Sequence, residues 1–100
     1  MGYLTNFELS ATDEIAEAVE AAILEVSGYR FEGGYLSDVK WYDWEDDMRA
    51  VSKRFPGHLI VLYGNGEEDG DIWRAYFANG KMQHCQAKIT FDPYDENQLT

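Results

Sequence analysis

The chain has very little of what stabilises or targets many small proteins. It holds one cysteine, Cys85, among 100 residues, so no disulfide can form within it and an oxidising compartment is not required. No apolar run approaches the roughly 18 residues of a membrane span, and Met1 to Ser10 lack the basic and apolar regions of a secretory signal. We therefore expect a cytoplasmic protein in which Cys85 is a small buried hydrophobe.

Basic residues are also scarce. Eight Lys and Arg residues stand against 19 Asp and Glu, which gives a net charge of -11. Such a charge repels nucleic acid and anionic lipid and attracts cationic protein surfaces, and the few basic residues are scattered along the chain. We expect no direct nucleic-acid binding and no membrane contact, and a monomer or small homo-oligomer.

What the chain does contain is enough apolar material for one folded domain over residues 1–100. Apolar residues make up 45% of the sequence and aromatic residues 15%, which argues against disorder despite the charge. Pro93 and three acids predict that residues 92–100 form a short acidic tail.

Two helices are predicted from periodicity. The first carries apolar residues at helical spacing and ends at Gly28: Ile15, Val19, Ala22, Ile23 and Val26. The second begins after Asp43 and ends at Pro56-Gly57, with an apolar stripe of Trp44, Met48, Val51 and Phe55.

Alternation and turn signals predict the strands. Tyr3 to Ser10 alternate, Val39 to Asp43 form a short strand, His58 to Tyr63 are mostly apolar, and Asp71 to Ala78 follow an acidic turn. Asn79-Gly80 predicts a type I′ hairpin. The last strand is predicted over Lys81 to Phe91. Its inward-facing side chains are predicted to be Cys85, Ala87, Ile89 and Phe91, and its outward-facing ones His84, Gln86, Lys88 and Thr90.

This order of elements predicts an α+β fold. A two-layer sandwich, with a mixed sheet of four or five strands and two helices on one face, would bury every apolar stripe. Four stretches of the last 60 residues carry a resemblance: Trp41-Tyr42-Asp43, Arg54-Phe55-Pro56, His58 to Tyr63, and Gly66 to Lys81. They resemble the ferredoxin-like domain of small phage- and plasmid-borne proteins, which implies a mobile-element origin without assigning a biochemical role.

No catalytic motif, cofactor site or metal site is predicted. From Asn65, the acidic turn resembles a calcium-binding loop, with Gly70 at position 6, but Tyr76 stands where the closing Glu belongs. A solvated loop is the simpler interpretation, with a weak cation site or a partner contact as alternatives. The acids around Trp41 and Trp44 are better explained by a helix dipole than by a glycosidase pair, and the two histidines have no second ligand at metal spacing. We expect a protein that is not an enzyme.

Two acidic sets have no evident local reason to exist. They are the predicted partner-binding residues: Glu14, Glu17, Glu20 and Glu25 on the first helix, and Glu67, Glu68, Asp69 and Asp71 in the turn. The helical carboxylates lie about 5 to 8 Å apart along the axis, comparable with phosphates on one DNA strand.

This pattern favours a protein that acts as a decoy for nucleic acid. The hypothesis is a small acidic phage or mobile-element protein that mimics nucleic acid and inhibits a host defence nuclease, of anti-CRISPR or anti-restriction type. Its target surface would be cationic and nucleic-acid-binding, in the host bacterial cytoplasm. The alternative is an immunity protein or small subunit that binds a basic protein partner, with acidity that serves only solubility.

Overall fold

The protein is a five-stranded sheet covered on one side by two helices. The computed structural model describes residues 2–100. The elements are β1 (Thr5–Ser10), α1 (Asp13–Ser27), β2 (Tyr35–Val39), α2 (Trp44–Lys53), β3 (Ile60–Gly66), β4 (Ile72–Ala78) and β5 (Lys81–Gln86). The strand order is β2-β1-β3-β4-β5. The predicted two-layer α+β sandwich is confirmed, and it is consistent with a ferredoxin-like architecture.

The sheet is antiparallel at all four pairings, whereas the sequence predicts a mixed sheet. A parallel pair would need a crossover that returns the chain to the start of β1. Instead, the loop after α1 brings the chain back to the far end of β1, where Leu9 N–H donates to the carbonyl of Gly34 at 2.7 Å. β2 therefore enters beside the end of β1 and runs in the opposite direction.

The core lies between the sheet and the helices. The buried side chains of α1 and α2 pack with those on the inner side of the strands: Phe7, Val19, Ala22, Ile23, Leu36, Met48, Val51, Ile60, Leu62, Trp73, Ala75 and Phe77. The predicted stripes of both helices are confirmed, since each contributes buried or partly buried residues to this cluster. Gly28 adopts φ 84° at the end of α1, as the sequence predicts.

Two strand predictions are wrong. The segment Val39 to Asp43 is not a strand, because β2 comes earlier, at Tyr35–Val39. Trp41 lies beyond β2, where it is buried through edge contacts with Phe7 and Phe31. The last strand is also shorter than predicted, since β5 ends at Gln86.

The facing of β5 is opposite to the prediction. The Asn79-Gly80 turn, with φ of 53° and 79°, sets Lys81 against Ala78, so Met82 pairs with Phe77 on the inner side. The same register places Cys85 opposite Arg74, on the outer side of the sheet. His84 instead turns inward, and its ring centroid is 5.5 Å from that of Trp73. The geometry of the turn, and not the apolar alternation, therefore determines which side chains of β5 face the core.

Residues 87–100, hereafter the C-terminal arm, extend away from this body. Every residue of the arm is exposed, and its only regular element is a single turn of 3-10 helix at Glu96–Gln98. The predicted inward-facing Ile89 and Phe91 are 57% and 91% exposed. The radius of gyration is 16.4 Å, compared with about 13 Å for a compact domain of this length.

Candidate partner-binding surface

Two acidic turns meet at one end of the sheet. Thr5, at the start of β1, pairs with Val39 at the end of β2 and with Gly66 at the end of β3. The segments that follow these two strands therefore leave the sheet side by side. Residues 38–47 and 67–71, hereafter the acidic pole, hold nine of the 19 carboxylates and one basic residue, Lys40: Asp38, Asp43, Glu45, Asp46, Asp47, Glu67, Glu68, Asp69 and Asp71.

The N-terminal segment ties the two turns together. The backbone N–H of Tyr3 donates to the hydroxyl of Tyr42 at 2.8 Å, and the hydroxyl of Tyr3 donates to Asp71 Oδ2 at 2.5 Å. The same hydroxyl accepts from the backbone N–H of Glu68 at 3.0 Å. Next along the chain, Leu4 N–H donates to Glu67 Oε1 at 2.6 Å. The acidic pole is thus a braced structure rather than two free loops.

The hydrogen bonds at this position change the pKa of the Tyr3 phenol. Its hydrogen bond to the Asp71 carboxylate raises the pKa of the Tyr3 phenol above the usual value of 10.0, because ionisation would remove the donor and place a phenolate beside an anion. The phenol therefore stays protonated, and keeps donating, across the physiological pH range.

Not every carboxylate of the acidic pole is free to contact another molecule. Asp47 Oδ2 accepts from Trp41 Nε1 at 2.8 Å, and it thereby satisfies the indole of a buried side chain. Asp46 lies 3.5 Å from Arg49 but is 87% exposed. Glu68 and Asp69 are exposed at the tip of the turn, and Glu45 is exposed in the first turn of α2. These exposed groups form the part of the pole that can contact another molecule.

The predicted helical set lies elsewhere, on the helical layer. Glu14 and Glu17 are exposed on α1. Glu20 is half-buried and its Oε2 accepts from Gly34 N–H at 2.9 Å, while Glu25 pairs with Arg54 at 3.0 Å. Four of the eight predicted site residues therefore make a side-chain contact within the fold: Glu20, Glu25, Glu67 and Asp71.

Sequence reasoning separated residues that the fold brings together. It attributed Glu45 to Asp47 to the dipole of α2 and did not join them to the turn at 67–71. The missing signal was the pairing of β1 with both β2 and β3, which no local pattern reveals. At the opposite end of the sheet, the Lys53 side chain lies beside Gly80 and Lys81 follows in β5, while Arg54 pairs with Glu25 near the end of α1.

The outer side of the sheet, hereafter the open face, is not covered by a helix. Its side chains form cross-strand rows in which Glu8, Tyr63, Arg74 and Cys85 are neighbours. The guanidinium of Arg74 lies 4.9 Å from the ring centroid of Tyr63 and donates to the Tyr76 hydroxyl at 3.3 Å. The hydrogen bond to Tyr76 raises the pKa of Arg74 further above its usual value. The open face thus combines aromatic side chains with a cation at β4 and acids towards β2, whereas the acidic pole is strongly anionic.

No family model, curated protein or solved structure matches this chain. The resemblance to a mobile-element ferredoxin-like domain accordingly stays a prediction. Within residues 2–100, no three His, Cys, Asp or Glu side chains are grouped as metal ligands would be. In the same described part of the chain, no helix is long and apolar enough to cross a membrane.

Proposed function

We propose that this protein is a non-enzymatic decoy, which uses the exposed carboxylates of the acidic pole to occupy the cationic, nucleic-acid-binding surface of a protein partner. The observation that carries the proposal is the convergence of nine carboxylates on two adjacent turns that the N-terminal segment holds in place. Preorganised like charge raises the rate and specificity of association with an oppositely charged groove.

The partner that fits best is a nuclease. A groove that binds nucleic acid is lined by Lys and Arg, and a rigid acidic surface competes with phosphates for it. We therefore propose inhibition of a host defence nuclease, of anti-CRISPR or anti-restriction type, in the bacterial cytoplasm. Glu14 and Glu17 on α1 would be a second contact for a partner that wraps the body.

The experiment compares two triple variants of equal charge. Glu45→Lys/Glu68→Lys/Asp69→Lys alters the acidic pole, and Asp13→Lys/Glu14→Lys/Glu17→Lys alters the helix. Each changes three side chains by two charges, so the net charge rises from -11 to -5 in both. Tagged proteins are used to capture partners from bacterial lysate at low salt, and the captured protein is then tested for competition between this protein and DNA.

We expect the pole variant to lose capture by at least about tenfold and the helix variant to retain it. Capture should also fall steeply with added salt, because screening shortens the reach of exposed charges to about 8 Å at 0.15 M. Loss with the helix variant alone would move the contact to α1. If neither variant weakens capture, or if the partner does not bind nucleic acid, the decoy proposal is wrong.

The second candidate is an immunity protein or a small subunit that binds a basic partner. The open face favours it, because aromatic side chains around Arg74 suit a stable protein interface more than a purely electrostatic one. In that case the captured protein would be a toxin or a larger assembly, and binding would survive salt.

A further inference from the structure

The large apolar side chains that are exposed fall into two sets. Tyr35, Leu59 and Ile72 lie on or beside the open face, with exposures of 59%, 54% and 45%. Four others lie on the C-terminal arm: Ile89, Phe91, Tyr94 and Leu99. Tyr42, at the acidic pole, is the remaining one among the described residues. One chain therefore carries two separate apolar surfaces that nothing covers.

The arm leaves its own sheet at the end of β5, beside the acidic turn. Ala87 N–H donates to the carbonyl of Ile72 at 2.8 Å, which continues the direction of β5 past the edge of the ladder. Two residues on, the Ile89 side chain lies beside Gly70, at the tip of the acidic turn. The molecule measures 54 Å along its longest axis and only 23 Å along its shortest. The arm thus projects from the body as an extended segment.

The open face has the shape to receive such a segment. Its side-chain rows enclose shallow grooves of about 360, 260 and 250 Å³, each of them large enough for an aromatic side chain. Ile72 and Tyr63 line two of these grooves. An open groove of this size suits a side chain of a peptide better than an enclosed small molecule, whose sites generally bury most of the ligand.

The charges of the two surfaces are complementary. Arg74 and Lys81 project from the β4–β5 half of the open face, which carries no acid, whereas the acids of this face, Glu8 and Glu32, lie towards β2. The arm carries three acids, Asp92, Asp95 and Glu96, against one base, Lys88. An arm laid on the face would bring its carboxylates towards Arg74 and Lys81.

We propose that the C-terminal arm docks on the open face of a second copy of this chain, and that the exchange is reciprocal. The arm has 14 residues and reaches up to about 45 Å when extended, well beyond the five-stranded sheet of a neighbour. Reciprocal exchange about a twofold axis buries both apolar sets at once and closes the assembly at two copies. A second copy is favoured over another partner because this one chain supplies both halves of the contact.

The test is sedimentation equilibrium of the full chain in 300 mM salt. We expect a monomer–dimer equilibrium, and we expect Phe91→Asp to weaken it by about thirtyfold or more, since a buried aromatic becomes a charge. Thr90→Asp is the matched control, because it adds the same charge on the opposite side of the extended arm and should leave the dimer almost unchanged. Phe91 is 91% exposed, so its replacement does not disturb the fold.

Mixing two variants tests the reciprocity. Ile72→Asp damages the face and Phe91→Asp damages the arm, so each homodimer has two impaired contacts. A heterodimer of the two has one intact arm on one intact face, and it should form more strongly than either homodimer. A chain that is monomeric at all concentrations, a dimer insensitive to both variants, or a mixture that associates no better than its components would overturn the proposal.

Salt separates this proposal from the proposed function. The repulsion between two copies of charge -11 outweighs the few attractive pairs between arm and face, so screening should strengthen the dimer, whereas it should weaken capture of a cationic partner. The dimer can therefore fail while the decoy activity stands, and the reverse.

Discussion

The acidic pole and the open face lie on the same five strands, yet they are maintained in different ways. The acidic pole depends on hydrogen bonds that the Tyr3 hydroxyl and the Leu4 backbone N–H donate to its carboxylates, because like charges on two turns would otherwise move apart. The open face depends mainly on strand register, which aligns Tyr63, Arg74 and Cys85 in one row. Local variants should therefore disturb the pole and the face independently, and only a change in the shared core should disturb both.

That shared support is Trp73. Its ring stacks on Trp44 at the start of α2, with centroids 4.3 Å apart, and it packs edge-on against Phe7. Its backbone pairs with Gly64, where any side chain would collide with the indole ring. We expect Trp73→Ala to lower the free energy of unfolding by about 3 to 5 kcal/mol, measured by urea denaturation.

The control is Tyr35→Ala on the open face, which replaces an aromatic residue that is 59% exposed. It should change stability by no more than about 0.5 kcal/mol. If Trp73→Ala unfolded only the acidic pole and left the remaining sheet protected from hydrogen exchange, the two regions would not share this support.

A second comparison distinguishes carboxylates within the acidic pole. Asp47→Ala leaves the indole N–H of the buried Trp41 without its acceptor, and we expect a loss of about 1 to 3 kcal/mol in unfolding free energy. Asp46→Ala removes the same charge from the neighbouring residue, which is 87% exposed, and should cost no more than about 0.5 kcal/mol. Equal effects would mean that Asp47 acts through charge rather than through its hydrogen bond.

These comparisons show which features of the fold could be predicted from the sequence. Both helices, Gly28 and the Asn79-Gly80 hairpin were predictable, because each depends on contacts or dihedral angles within a few residues. The direction of β2 and the facing of β5 were not, since they depend on register between distant strands. The apolar alternation at Cys85 to Phe91 was real, but it belongs largely to the arm and not to the core.

The candidate site shows the same difference between features set by nearby residues and features set by distant strands. The turn at 67–71 was predicted from its composition, whereas its junction with residues 38–47 required the fold. The bracing role of Glu67 and Asp71 was also hidden, because their partners Tyr3 and Leu4 lie more than 60 residues away. Composition therefore located the charge, and topology decided which charges act together.

A third prediction concerns the brace of the acidic pole. Tyr3→Phe removes the hydroxyl that Asp71 and Glu68 share, so the pole should loosen while the open face is unchanged. We expect faster hydrogen exchange at Glu68, with unaltered exchange in β5. Raising the pH should mimic the variant: the folded-state pKa of Tyr3 is raised, so its contribution is present below about 10 and is lost as pH rises through that higher value.

Wild type and Tyr3→Phe should accordingly converge in stability above the folded-state pKa of Tyr3. A difference that persists unchanged in strong alkali would show that the hydroxyl acts without its proton. Tyr42→Phe is a useful comparison, since its hydroxyl accepts from Tyr3 N–H and its loss should loosen the pole without this dependence on the Tyr3 proton.

The smallest effect is expected outside both regions, at the ion pair of Glu25 and Arg54. The two side chains are 72% and 45% exposed, and an exposed pair contributes little because water and salt screen it. Glu25→Gln should change the unfolding free energy by no more than about 0.5 kcal/mol, leave dimerisation intact and leave capture of a cationic partner intact. A large loss of capture from this one substitution would mean that the carboxylates of α1, and not those of the acidic pole, form the surface that a partner recognises.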